Sequence, residues 1–127
     1  MGDIVDKVNN RALGQVKEDY ACEYLVSKGY KILERNWHWS NRGEIDIIAV
    51  DPKRFGEEYL IFIEVKFRNE SMLMSLQAVN QKKIAQLKLL AKAFLQSRKL
   101  LQSKVNISFD FIAIHGKEIE HIKNIVD

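Results

Sequence analysis

The chain is short of the residues that interrupt or cross-link a fold: one cysteine, one proline and six glycines among 127 residues. The lone Cys22 cannot close an internal disulfide, and no Cys/His cluster stands ready for zinc. No uninterrupted apolar run approaches the length that crosses a bilayer. Asp3 and Asp6 break the N-terminus before an apolar segment forms, so a secretory pattern is lacking. Met1-Gly2 opens the chain, but Asp6 stands where an acylation signal carries Ser or Thr. A cytoplasmic protein with no membrane partner is expected. Few breakers also mean long elements and few loops. The length suits a single domain over residues 11–127, with residues 1–10 as a tail or a short extra turn.

What the chain does have is an ordinary apolar share, 46%, and an uneven distribution of charge. The net charge is only +3. From Arg68 to Lys104, however, eight Lys or Arg face one acid, Glu70, which gives +7. The remaining segments carry twelve bases and sixteen acids, which gives −4. A basic segment against an acidic remainder suits contact with a polyanion on one surface, although a solvated helix face produces the same run.

Leu13, Val16, Tyr20 and Tyr24 recur at helical spacing from about Arg11 to Lys28, and Gly29 sits where a helix stops. Tyr30 to Trp39 reads as a strand. Gly43–Val50 and Glu58–Arg68 are two further β-rich runs, parted by the loop chemistry of Asp51-Pro52-Lys53-Arg54-Phe55-Gly56-Glu57. A long helix follows, with Asn80 as N-cap, an inward stripe of Ile84, Leu87, Leu90, Ala91, Phe94 and Leu101, and an end at Gln102-Ser103-Lys104. Asn106–His115 forms another strand, and Gly116 turns the chain into a short last segment, Ile119–Val126. This order predicts an α/β fold with a central mixed β-sheet flanked by helices.

Alternation along the third strand places Leu60, Phe62, Glu64, Lys66 and Arg68 on one face, where apolar residues give way to charges while the strand continues. The preceding strand places Glu44 and Asp46 with Ile48 and Val50, and Ile45, Ile47 and Ala49 on the other face. An antiparallel register setting Val50 by Leu60, Ile48 by Phe62, Asp46 by Glu64 and Glu44 by Lys66 gathers the charges at one end. Two carboxylates 4 Å apart repel by about 4 kcal/mol at an effective dielectric near 20. A divalent cation removes that penalty, and hard oxygen ligands suit Mg²⁺ or Mn²⁺. Lys66 can orient or deprotonate an attacking water and offset charge on a phosphate. The competing reading is a structural ion pair of Lys66 with Glu44 or Glu64. Asp followed by Glu-x-Lys is a weak pattern alone, but the apolar strands around both halves favour a site.

Gly43-Glu44-Ile45-Asp46-Ile47-Ile48-Ala49 followed by Ile63-Glu64-Val65-Lys66-Phe67-Arg68 resembles the YraN family, bacterial proteins with an endonuclease-like fold. That family lies in the PD-(D/E)XK nuclease superfamily, nearest the Holliday-junction resolvases. The resemblance runs from about Arg11 to Val126. It includes Leu13-Gly14 with Glu18, Arg35-Asn36-Trp37, Ala78-Val79 with Lys83, Phe109-Asp110 and Ile119-Glu120-His121-Ile122. It implies a restriction-endonuclease-like αβββαβ core. It also implies Asp46 and Glu64 as metal ligands, the Val65 carbonyl as a third, Lys66 as catalytic lysine and Glu18 as an auxiliary acid. Two positions depart from the family's usual pattern: Lys17 replaces a Gly before the helix acid, and Ser108 replaces an Arg before the Phe-Asp pair.

Several residues carry two readings. Glu18 borders the apolar arc of its helix, where an ordinary surface glutamate would also sit. Lys83 falls on the stripe of Leu90, Phe94 and Leu101, so it either snorkels from the helix start or points at the acidic site. Lys88, Lys92 and Lys99 form a separate stripe suited to phosphate contacts, and Arg42 and Arg68 flank the acidic strands. Trp37 and Trp39 suit packing better than base stacking, and His38, His115 and His121 have no ligand spacing. The expected function is Mg²⁺- or Mn²⁺-dependent hydrolysis of phosphodiester bonds in nucleic acid, DNA above all, branched or otherwise structured. The alternative is a nucleic-acid-binding module that keeps the fold without cutting. Resolvase-like cleavage of two strands would require a homodimer.

Overall fold

The computed structural model describes residues 2–67 and 81–126, with side chains from Gly14 onward. Helix α1 (Gly2–Ser27) leads into β1 (Lys31–His38), β2 (Glu44–Arg54) and β3 (Glu57–Phe67). Helix α2 (Gln81–Ser97), β4 (Ile107–His115) and β5 (Glu118–Ile122) follow among the described residues. The five strands form one mixed sheet in the order β1-β2-β3-β4-β5. Every neighbouring pair is antiparallel except β3 and β4, whose parallel pairing spans the crossover that contains α2. This is the α/β fold with a central mixed sheet expected from the order of the elements, and it is consistent with the restriction-endonuclease-like core that the resemblance implies. Among the described residues no helix is long and apolar enough to cross a membrane.

Two apolar layers hold it together. Ala21 and Leu25 of α1 pack with Ile47, Ala49, Ile61, Ile63, Val65, Ile112 and Ile114 on one side of the sheet. On the other side, Leu87, Leu90, Ala91 and Phe94 of α2 meet Ile45, Ile48, Leu60, Phe62 and Phe109. Trp37 and Trp39 join this second layer, and Trp37 meets Phe94 edge-on at 5.4 Å, so both tryptophans pack rather than wait for bases.

Several boundaries differ from the sequence reading. Helix α1 starts at Gly2 rather than near Arg11. Its buried arc is Ala21 and Leu25, while Val16 is 60% exposed and Tyr20 is 38% exposed. Gly29 (φ 92) stops it as expected: Tyr30 N–H donates to the Leu25 carbonyl and Gly29 N–H to that of Val26. Helix α2 ends at Ser97, well before Gln102, because Lys99 adopts φ 58 and closes the same motif with Leu100 N–H on the Leu95 carbonyl. Leu101 therefore lies beyond the helix and is exposed. The segment read as a loop after Val50 is mostly strand. β2 runs on to Arg54, β3 starts at Glu57, and only Phe55 and Gly56 turn, with the paired positive φ values of a tight hairpin. The expected N-cap Asn80 and the flanking Arg68 lie outside the described residues.

Candidate metal and phosphodiester site

The end of β2 and the end of β3 meet between the two helices, where the pairing of the strands gives out. Their ladder holds the expected register at Val50↔Leu60 and Ile48↔Phe62 and stops at Ile47↔Ile63. Asp46 and Glu44 are therefore not ladder partners of Glu64 and Lys66, which corrects the last two steps of the expected register. Instead, Asp46 turns its carboxylate onto the next strand, where Oδ2 accepts the Val65 N–H at 2.8 Å. The side chain replaces a missing backbone partner and fixes itself beside Glu64.

Local backbone geometry explains the change. Asn36 has φ 50, a left-handed residue in the middle of β1. Arg35, whose partner is Ile47, reaches the acids of α1, whereas Trp37, whose partner is Ile45, packs on the α2 side. The kink thus sends Ile45 to the α2 layer while Ile47 stays in the α1 layer, against the simple alternation expected for β2.

A cavity of about 370 Å³ opens at this sheet end, lined by Gly14 and Glu18 of α1, Glu44 and Asp46 of β2, Glu64 to Phe67 of β3, and Lys83 and Gln86 of α2. Glu18 is held there by Asn36, whose Nδ2 donates to its Oε2 at 2.9 Å, with Arg35 at 3.8 Å. Glu64 is buried, 5% exposed in its side chain, and both Lys66 (3.3 Å) and Lys83 (3.2 Å) reach the same oxygen, Oε1. Lys83 points at the acids; it does not snorkel away. Glu44 pairs with His38 at 3.0 Å rather than with Lys66. Burial pushes the Asp46 carboxyl up to about 7, reinforced by the charge of Glu64, with the Val65 N–H pulling the other way.

The structural ion pair weighed for Lys66 is thus present, but in company no sheet-edge pair needs: a second lysine and a crowded buried carboxylate at one cavity. The donors fit a hard divalent cation. Among the described residues no three His, Cys, Asp or Glu side chains form a ready cage. A site of two carboxylates is nonetheless how Mg²⁺ is commonly held, with water and substrate phosphate completing its shell. Asp46 and Glu64 would be the anionic ligands and Val65 the backbone one.

The other expected residues divide. Arg42 is exposed, with its guanidinium over the Trp39 ring at 5.2 Å, and it does not line the cavity. Lys88 and Lys92 are exposed and lie about 140° and 180° around α2 from Lys83, on the face turned from the sheet. Lys99 lies past the end of the helix, so the three lysines do not form one helical stripe. Gln86 was missed, although it follows Lys83 by one helical turn; its Nε2 donates to the Arg42 carbonyl at 3.3 Å. Asn36 was missed as the residue that holds Glu18.

Residues 17–114 match a family described as "Uncharacterised protein family UPF0102". A UPF0102 protein of Fusobacterium nucleatum is 41% identical over 120 residues, covering 94% of both chains. One from Carboxydothermus hydrogenoformans is 40% identical over 94% of this chain and 99% of its own. A third, from Thermodesulfovibrio yellowstonii, is 41% identical over 88% and 93%. The chain belongs to the uncharacterised protein family UPF0102, the YraN proteins of the nuclease-like superfamily that its motifs resemble.

Proposed function

We propose that the protein is a metal-dependent endonuclease that hydrolyses phosphodiester bonds in DNA, with branched or otherwise structured DNA as the substrate to test first. The observation that carries this reading is the convergence of Asp46, Glu64 and Lys66 on one cavity, with Glu18 and Lys83 brought in from the two flanking helices. A bound Mg²⁺ or Mn²⁺ would polarise the scissile phosphate and lower the pKa of the attacking water. Asp46 and Glu64 would hold that ion, with Asp46 oriented by the hydrogen bond from the Val65 N–H. Lys66 offers an ammonium group to the attacking water or to the charge that builds on the phosphate. Glu18, pinned by Asn36, supplies a further acceptor at the rim.

The test is cleavage of junction, flap, duplex and RNA substrates with Mg²⁺ or Mn²⁺. Cutting of at least one by the wild type is expected, with loss of about 100-fold or more in Asp46→Ala, Glu64→Ala and Lys66→Ala. Folded protein that cuts none of them and binds no Mn²⁺ would overturn the proposal. A second reading, a binding module that does not cut, draws on the two ammonium groups already balancing Glu64. It expects salt-dependent DNA binding that survives Asp46→Ala and needs no metal.

A further inference from the structure

Two ammonium groups share one oxygen of Glu64. Lys66 and Lys83 approach Oε1 at 3.3 and 3.2 Å from different layers of the fold. Lys66 stands on the same strand, two residues on, and its place is fixed by β3, which is paired to β4 through Phe67. Lys83 is the third residue of α2 and crosses to the sheet with the full length of its side chain, 31% exposed. Its four-carbon stem lets the head leave Glu64 without moving the helix. A divalent cation seated by Asp46 and Glu64 would meet that ammonium head-on, and like charges so close in a half-buried site repel strongly.

We propose that Lys83 is a built-in counter-ion for Glu64 that competes with the divalent cation, and that the cation displaces it onto a phosphate of the nucleic acid. This rests on the nuclease reading above and deepens it: cation and nucleic acid then bind cooperatively through one lysine. In the free protein Lys83 joins Lys66 in balancing the buried Glu64 carboxylate. In the loaded protein the same group becomes a phosphate ligand beside the scissile bond. Lys83 is on this account a positioning residue whose partner changes with the state of the site. It is not a bystander on the helix surface.

Calorimetric titration of Mn²⁺ into wild type, Lys83→Met, Lys83→Gln and Asp46→Ala, without nucleic acid, separates the possibilities. Both Lys83 variants should bind Mn²⁺ about fivefold or more tighter than wild type, the low end of ordinary coupling between linked sites. With Ca²⁺ in place of Mn²⁺ to prevent cutting, both should bind duplex DNA more weakly than wild type, and Lys83→Arg should restore both quantities. Equal or weaker Mn²⁺ affinity in the Lys83 variants, with binding still abolished by Asp46→Ala, overturns the counter-ion role alone. Absence of Mn²⁺ binding in every protein, wild type included, overturns this inference together with the metal-dependent reading.

Discussion

Arg54 and Asp110 face each other through two parallel hydrogen bonds, Nη1 to Oδ1 and Nη2 to Oδ2, both 2.7 Å, with neither side chain more than 3% exposed. The remaining guanidinium protons are also used. Nε donates to Asp51 at 3.0 Å, Nη1 to the Ser108 hydroxyl at 3.1 Å and Nη2 to the Tyr30 hydroxyl at 2.8 Å. All five N–H groups of the fork thus have acceptors. Asp110 in turn meets His121 Nε2 at 2.6 Å, and the other ring nitrogen of His121 meets the Tyr24 hydroxyl at 3.1 Å. The network ties the β2–β3 hairpin and β5 to α1. With Tyr20 donating to the Lys117 carbonyl at 2.6 Å, it fixes the rotation of the helix that presents Glu18.

Breaking this pair from one side strands a buried charge. Arg54→Met should cost about 3–5 kcal/mol, because Asp110 loses its counter-ion inside the fold. Pairing it with Asp110→Asn should lose clearly less than the two single costs added together, since the residues share one network. Urea unfolding of the three variants checks both statements; strict additivity would show that the two groups act independently.

Asp46 and Asp110 should shape acid stability in opposite directions. Burial and the charge of Glu64 raise Asp46 from 3.8 to about 7, so the folded state holds a proton that the unfolded chain has lost. Its contribution is full below 3.8 and disappears as pH rises to about 7. Burial works on Asp110 too, but the bonds from His121 and Arg54 outweigh it and hold the carboxyl below its usual value. That contribution is present above 3.8 and is lost as pH falls through the lower folded value. In metal-free protein, Asp46→Asn should therefore gain on wild type by about 2 kcal/mol between pH 5 and pH 8. Saturating Mn²⁺ should erase the gain. Unfolding curves at the two pH values, with and without the ion, measure it.

Gly43 lies just before β2, against Gln86 and Leu90 of α2. A Cβ there would stand 2.7 Å from Gln86 Nε2 and 3.4 Å from Leu90 Cδ1, at φ +136. Gln86 can give way, but the backbone conformation remains strained for any L side chain. Gly43→Ala should cost about 1–3 kcal/mol. It should also loosen the Gln86 bond to the Arg42 carbonyl and weaken Mn²⁺ binding at Asp46, three residues away. Thermal melts with a Mn²⁺ titration test both; an unchanged Tm would show that the turn tolerates a side chain.

The sheet and the place of Glu64 were legible because β3 keeps a strand's alternation, Ile61, Ile63 and Val65 against Phe62 and Glu64. The kink beside β2 breaks that alternation there, so the way Asp46 meets Glu64 was not. Lys83 was legible from periodicity too, as a charge on an apolar helical stripe. The Arg54 network was not. Its members, Tyr24, Tyr30, Arg54, Asp110 and His121, come from five separate segments, and Arg54 lies in a stretch whose Pro52 and charges read as loop. Only the pairing that carries β2 on to Arg54 reveals that this charge points inward. The end of α2 was missed because a lysine, Lys99, takes the left-handed position that glycine normally marks.

Asn36 offers a separation of backbone and side-chain effects. Its φ of 50 suits Asn or Gly, and its side chain holds Glu18. Asn36→Gly should keep the kink and remove only the hydrogen bond, leaving stability within about 1 kcal/mol of wild type. Asn36→Ala loses the bond and adds about 1 kcal/mol or more of left-handed strain. If Glu18 works at the site, both variants should slow cleavage to a similar degree although their melting temperatures differ. A rate loss that tracks stability instead would reduce Asn36 and Glu18 to a structural pair.

The exposed lysines of α2 should be silent in the chemistry and audible in the salt dependence. Lys88 and Lys92 point away from the sheet, whereas Lys66 and Lys83 line the cavity. Each phosphate that the protein no longer neutralises should lower the slope of log affinity against log salt by about 0.9 for duplex DNA. Replacing Lys88 and Lys92 together by Ala tests whether bound DNA extends around the helix. A slope reduced by nearly two, with the cleavage rate at saturating DNA unchanged, would place the backbone over this outer face. An unchanged slope would confine the substrate to the end of the sheet, where the cavity cations alone meet it.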